Sequence, residues 1–494
     1  MSKLNATRRQ FLRTASVVGG SVGTAATPLA LNLATLGSAA AQSNPGDYKA
    51  IVCIFLYGGN DANNMVLRTD ADSYNEYFRV RNSGTDPIAL LAPGTPVNNG
   101  AARASPARLG GVLPLTPASL AATNMGKTFG VHPSMPETQA LFNARRLAVM
   151  SNAGPLVVPM TGTEFRNNTK PRPMALGSHN DQQSTWQALG PEGAKIGWGG
   201  RLGDLVASGN SNTTFTSLSV SGNNVFSAGQ NTYQYQVGGG GSTSIAGISG
   251  TLFGSMTAST TLRSILTSDN SHLFAKEYSS IAKRSIEAQA TFQTAFNASQ
   301  ALAPSAVNLP SNGQNVGNGL AQQLQTIARV IAMRGAIGAK RQIFMASMGG
   351  FDTHDGQNMN QADLLARLSH ALGYFDAALA NVGGQDLRSS VTTFTASDFS
   401  RTNNTNGDGT DHAWGASSFV MGGAVRGGQL YGNFPTFGVN NANEEVVGNN
   451  WLPNMSVDTI GATMGRWFGA SEANLDLIFP NLKNFPRDAG FMVV

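Results

Sequence analysis

The stretch Lys49-Ala50-Ile51-Val52-Cys53-Ile54-Phe55-Leu56-Tyr57 is apolar almost without interruption and stops at Gly58-Gly59-Asn60-Asp61. A run of this length bounded by a turn signal reads as a buried strand, and the double glycine supplies the permissive backbone for a sharp turn at its end. Asp61 therefore falls just past a strand end. Open α/β sheets build their sites there, because loops at the carboxyl ends of parallel strands converge on one crevice. Two further acid/histidine groups, Asp352/His354 and Asp411/His412, also follow or lie close to predicted strand ends. Carboxylates and imidazoles gathered in one crevice suit a divalent metal.

The 494 residues, 41% of them hydrophobic, suffice for one large domain or two or three smaller ones. The first 41 residues do not belong to that core. Thr7-Arg8-Arg9-Gln10-Phe11-Leu12-Arg13, a weakly apolar Gly/Ala/Thr-rich run and Ala39-Ala40-Ala41 before Gln42 resemble a twin-arginine signal with a small-residue cleavage site. No acid occurs in residues 1–41, and the span is too poor in large apolar residues for a stable membrane anchor. The expected location is periplasmic or secreted. Four of the 33 basic residues (Lys3, Arg8, Arg9, Arg13) lie in the leader, so 29 basic stand against 28 acidic residues in the remainder. A near-neutral chain of 12% charged residues gives no electrostatic footprint for nucleic acid. Cys53 is the only cysteine. It excludes an intramolecular disulfide and, inside the strand run, reads as buried packing.

Along the chain, residues 68–82 and 134–144 have helical patterns, the second with Ser134 and Glu137 at capping-box spacing, and 146–152 reads as another buried strand. Residues 83–134 are loop-rich. Residues 213–236 alternate as strands or hairpins, Gly238–Gly241 opens a flexible insertion, and two long helical patterns follow at 259–302 and 317–338. The clearest unit is strand 341–347, helix 360–381 and strand 390–396, a parallel pair under the right-handed crossover rule. Residues 417–421 read as a strand and 456–468 as a closing helix. The expected organisation is a single α/β domain over 42–494 with an insertion at about 205–315, and no internal repeat.

Each motif has more than one reading. Asp61 after Gly-Gly serves a turn or helix cap as well as a ligand set. Asp352 and His354, two apart on an extended loop, project to one side and suit metal coordination or an acid orienting a histidine. Asp411 and His412 are adjacent, so their side chains diverge unless the backbone turns. His179 flanks Ser178 at a helix start, where free N–H groups and the dipole favour an anion. His132, His272 and His370 read as structural. Asn404–Gly409 imitates the start of a calcium loop, but its twelfth position is Gly415 and not Glu. Gly58-Gly59-Asn60-Asp61 imitates the Gly-x-Asn-Asp block of SGNH-type esterases, yet no Gly-Asp-Ser block precedes it.

Taken in order, the twin-arginine start, Phe55–Asn64, Gly177-Ser178-His179, Gly350–His354, Asp398–Thr402, Asp411-His412, Trp467-Phe468-Gly469 and Phe479–Leu482 resemble the DUF1501 family across essentially the whole mature chain. That family is grouped with the alkaline phosphatase and sulfatase superfamily. The resemblance implies a three-layer α/β fold, a mixed, mainly parallel sheet between helices, and an exported divalent-metal hydrolase of phosphate or sulfate esters. It implies Asp61 as the first-strand metal ligand, Ser178 as nucleophile beside His179, Asp352/His354 and Asp411/His412 as two metal groups, and Arg401 as the holder of a small anionic substrate. One or two ions of zinc, manganese or calcium are the expected cofactor. The chain departs from the family at Asp398-Phe399-Ser400-Arg401-Thr402, where Glu-Phe-Gly-Arg-Thr is common, and at Gly177, where Arg is common. No histidine follows His412 to serve as the third of a two-zinc site, so His179 substitutes, one ion binds, or the site is degenerate. The Cys/Ser-x-Pro-x-Arg element of sulfatases is also missing. Two other readings stand beside the hydrolase: an exported scaffold that keeps the fold without the chemistry, and a metal-free serine esterase using Ser178.

Overall fold

A computed structural model describes residues 48–269 and 271–493. The expected twin-arginine leader at 1–41 lies outside the described residues. The main sheet has ten strands: β1 (Lys49–Leu56), β2 (Leu147–Gly154), β3 (Ser217–Ser219), β4 (Tyr235–Gly238), β5 (Gly241–Ser242), β6 (Arg341–Met348), β7 (Val391–Ser397), β8 (Ala416–Met421), β9 (Leu430–Tyr431) and β10 (Met455–Ser456). Their order is β9-β2-β8-β7-β1-β6-β3-β4-β5, with β10 also pairing β2. The centre, β7-β1-β6-β3-β4, is parallel, while β8 runs antiparallel to both β7 and β2. The fold is α/β with a mixed, mostly parallel sheet.

The apolar run near the start of the described residues explains why β1 is central. Every residue from Ala50 to Leu56 is buried, and alternate side chains enter different cores. Ala50, Val52, Ile54 and Leu56 pack with α3 (Pro136–Asn143), α8 (Gly319–Ala332) and α9 (Gln357–Leu379). Ile51, Cys53 and Phe55 pack with α5 (Trp198–Val206), α10 (Val457–Phe468) and α11 (Glu472–Ile478). Two helix layers thus sandwich the sheet, and each fully buried large side chain contributes about 1.5–3 kcal/mol. Cys53 is packing, and burial pushes its thiol up.

Several elements differ from the sequence expectation. The strands at 341–347 and 390–396 are parallel, but β1 sits between them. Ser134 does not cap α3: Pro136 takes the first turn, the Ser134 amide donates to His132 Nδ1 at 3.1 Å, and Glu137 accepts from Ser369. The pattern at 259–302 divides into α6 (Met256–Thr267) and α7 (Leu273–Ala298), and Gly238–Gly241 closes a hairpin onto the sheet edge. The loop-rich segment contributes a small antiparallel sheet of Val66–Arg68, Phe129–Val131 and Leu113–Leu115. Among the described residues no helix is long and apolar enough to cross a membrane.

Candidate metal centre

The loops leaving β1, β6 and β7, three neighbouring parallel strands, meet at one end of the sheet. Gly58 permits the approach: its φ is +112°, and a Cβ there would stand 2.5 Å from the Asp352 amide nitrogen. The remaining parts arrive from α4 (His179–Ala188) and from the 402–415 loop.

Three imidazoles face Asp352. The Asp352 carboxylate lies 3.5 Å from His179 Nε2, 3.2 Å from His354 Nε2 and 3.3 Å from His412 Nε2, and the last two nitrogens are 3.0 Å apart. Each ring is held from behind through Nδ1. His179 Nδ1 pairs with Asp398 at 2.6 Å, His354 Nδ1 with Asp411 at 3.2 Å, and His412 Nδ1 with the Gly177 carbonyl at 2.7 Å. Ionised carboxylates and carbonyls only accept, so in a neutral ring Nδ1 carries the proton and Nε2 is left as a lone pair. Facing Nε2 atoms at 3.0 Å suit a positive charge between them, and Arg401 Nη1 already approaches His354 Nε2 at 3.3 Å. The separations of 3.0, 3.2 and 3.3 Å among His354 Nε2, His412 Nε2 and Asp352 Oδ1 match the roughly 3.3 Å spacing of ligands whose bonds to one ion are about 2.0–2.2 Å. His179, Asp352 and His412 likewise offer ligand atoms all within 4.8 Å of one another. This donor set fits a divalent ion, and its backing acids supply the outer support such histidines need.

Charge within the cluster follows from this packing. Burial works to raise the Asp352 carboxyl, but the Arg401 hydrogen bond and charge, with His179 and His354, leave it below the ordinary carboxylate range. Burial pushes the His412 imidazole down, opposed by its bond to Gly177, with Arg401 and His179 adding to the depression.

The structure redistributes the residues anticipated from sequence. Asp352, His354 and His412 come together, and His179 joins them as a donor. Asp411 stands behind His354 as its orienting acid. Asp61 is not in the cluster: its buried carboxylate takes Arg81 Nη1 at 2.5 Å and Nη2 at 3.1 Å, Gln357 Nε2 at 2.6 Å and the Asn63 amide at 3.0 Å. With four donors it caps α1 (Ala62–Met65) and has no free edge for an ion. Arg401 is equally committed, its guanidinium fully buried on the carbonyls of Gly58, Gly59, Phe351 and Thr410, on Asp352 and against His354 Nε2. It staples three loops together and presents no face to a substrate anion. Ser178 is the N-cap of α4, but its hydroxyl donates to Asp181 at 2.7 Å, with no histidine among its hydrogen-bond partners.

Asp398 is the residue to which sequence reasoning gave no role. It is fully buried at the end of β7, where Oδ2 accepts from His179, Gln183 Nε2 and the Gly58 amide, while Oδ1 has no partner among the described residues. Its position after a strand was the available signal. Arg81, in α2 (Ala71–Arg81), left none, because only the packing of that helix points it at Asp61.

The family described as "Protein of unknown function (DUF1501)" matches residues 48–459. No curated protein matches the chain. Among solved structures, the chain is similar to one described as "Metabolism of multiple glycosaminoglycans by bacteroides thetaiotaomicron is orchestrated by a versatile core genetic locus (BT33494S-sulf)", at 9% identity over 87% of this chain and 74% of that chain, with a TM-score of 0.33. A second, "Crystal structure of Ps i-CgsB in complex with k-i-k-neocarrahexaose", is 10% identical over 89% of this chain and 77% of that chain, with a TM-score of 0.34. Likeness that distant says nothing of activity or substrate.

Proposed function

The chain belongs to the DUF1501 family, and from that premise we propose that it is an exported, metal-dependent hydrolase of phosphate or sulfate esters. The observation that supports this reading is the convergence of three Nε2 atoms on the Asp352 carboxylate, each ring anchored through Nδ1. His179, Asp352 and His412 would hold one divalent ion, with His354 Nε2 3.0 Å from His412 Nε2 at its edge. A bound ion supplies Lewis acidity toward an ester oxygen and lowers the pKa of a nearby water or hydroxyl.

The chain's own groups supply the rest. Imidazole ligands bring no charge and one carboxylate neutralises only one of two positive charges, so an occupied centre would retain attraction for an anionic ester. The N-terminus of the ten-residue α4 adds partial positive charge on the same side. Because the Ser178 hydroxyl is turned to Asp181, water is the nucleophile favoured here. Asp398 and Asp411 fix the ring orientations on which the centre depends. Export is supported by the twin-arginine pattern at Thr7–Arg13.

One observation favours a second reading. Arg401 already brings positive charge to Asp352, so the cluster could be the neutralised remnant of a site in a non-catalytic scaffold. Elemental analysis separates the two. The hydrolase reading expects about one zinc, manganese or calcium ion per chain, lost in Asp352→Ala and His412→Ala, with turnover of aryl phosphate or aryl sulfate that falls in parallel. Metal-free protein that takes up no ion and hydrolyses neither ester would reject it.

A further inference from the structure

The helical hairpin α6–α7 carries an apolar seam that runs off the body of the protein. In α7, Phe274, Tyr278, Ile281, Ser285, Ala288, Phe292 and Ala295 recur at alternating steps of four and three residues. That is the spacing of a coiled-coil seam, which calls for a facing helix along its whole length. The C-terminal half is covered by the body of the protein: Ala288 and Phe292 are buried in the core, Phe292 against the rings of Phe215 and Tyr235, and Ala295 packs against it. The N-terminal half does not. Phe274 is 79% exposed, Tyr278 61% and Ile281 50%, and in the same hairpin Leu273 is 75% and Ile265 of α6 65% exposed.

We propose that this half-seam is an interface between two copies of the chain, packed antiparallel through α7 about a two-fold axis near Ile281. Two features select a second copy. The first is charge. Along one edge of the seam, Glu277 and Arg284 stand seven residues apart with opposite signs, both exposed and, among the described residues, ion-paired with each other at 3.2 Å. An antiparallel two-fold axis between them sets Glu277 of one copy against Arg284 of the other, so the edge complements itself. The other edge, Ala275 and Ala282, is small and partly or fully buried, and α6 packs on α7, so the pair of hairpins would close as four helices. The second feature is area. At about 200 Å² for a fully exposed large side chain, the five residues present roughly 700 Å², near the ~800 Å² each partner contributes to a standard interface. An anionic membrane is a poorer occupant. In α7 two acids, Glu277 and Glu287, accompany the three bases Lys276, Lys283 and Arg284, whereas surface helices of that kind are strongly basic.

Sedimentation velocity on the metal-replete full chain tests this. We expect a species of twice the 51.5 kDa chain mass. Tyr278→Glu and Ile281→Glu, both solvent-exposed, should raise the dimer dissociation constant at least tenfold while leaving the circular-dichroism melt unchanged. Glu277→Arg should weaken the dimer, and adding Arg284→Glu should restore it. A monomeric wild type, a dimer indifferent to these four changes, or co-sedimentation of monomer with phosphatidylglycerol vesicles would each overturn the assignment.

Discussion

Asp61 and Asp352 sit at the carboxyl ends of neighbouring parallel strands, follow glycine-rich turns and carry the same functional group, yet they live in opposite circumstances. The Asp61 side chain is 0% exposed and closed off by Arg81, whereas that of Asp352 is 47% exposed and ringed by histidines. A buried carboxylate must find positive charge or lose its own. At Asp61 the cation is covalently part of the chain and permanent. At Asp352 Arg401 neutralises one edge, while the imidazoles leave room for a charge that can come and go. A strand-end acid is therefore diagnosed by who answers it, not by where it lies.

The most severe way to break this contrast is Arg81→Ala. It strands a buried carboxylate and should lower the free energy of unfolding by about 3–5 kcal/mol in a urea titration, with part recovered in Asp61→Asn/Arg81→Met. If the contrast holds, folded Asp61→Asn keeps its metal content; loss of metal there would return Asp61 to the ligand set. Next in size, His412→Ala should weaken zinc binding by roughly 100-fold or more in a competition titration with a chelator, with little change in melting temperature.

A pH measurement sharpens the sealed side. His132, whose amide donates to the Met65 carbonyl beside Asp61, is buried, and burial pushes its imidazole down to about 3. The folded state therefore binds fewer protons than the unfolded chain between about 3 and 6.5, and stability drains away as pH falls through that window. At pH 5 the loss relative to pH 7 from this group is about 2 kcal/mol. His132→Asn keeps an acceptor for the Ser134 amide and should flatten that acid limb in pH-dependent denaturant melts. The mildest change is Asp398→Asn. It leaves His179 in place but weakens the group behind it, and a drop of about tenfold in metal affinity, without unfolding, is the outcome to look for.

Much of the frame was legible because it rests on short-range pattern. The β1 run, the β6-α9-β7 unit, the buried Cys53 and the placing of acids and histidines at strand ends all follow from periodicity and turn chemistry. What was not legible depends on contacts that spacing does not encode. Nothing local says that Arg81, a helical residue with charged neighbours, turns inward to Asp61, or that His354 and His412 meet across 58 positions. Ser134 shows the same limit on a smaller scale: a correct capping spacing lost to Pro136 and to a serine on another helix. Asp398 was in view only as a departure from Glu, and its role emerged once β7 was seen beside β1.

The insertion of β1 between β6 and β7 also governs the order in which this molecule can be built. Tyr48 meets Gln342 across 294 positions, so β1, the first strand of the described residues, waits for partners encoded in the last third of the chain. Closing so long a loop is slow and leaves an apolar strand unpaired in the meantime. The histidine cluster, which needs β1, β6 and β7 in register and His412 in place, is therefore completed only after nearly the whole polypeptide has emerged, and metal capture would report the final step of folding.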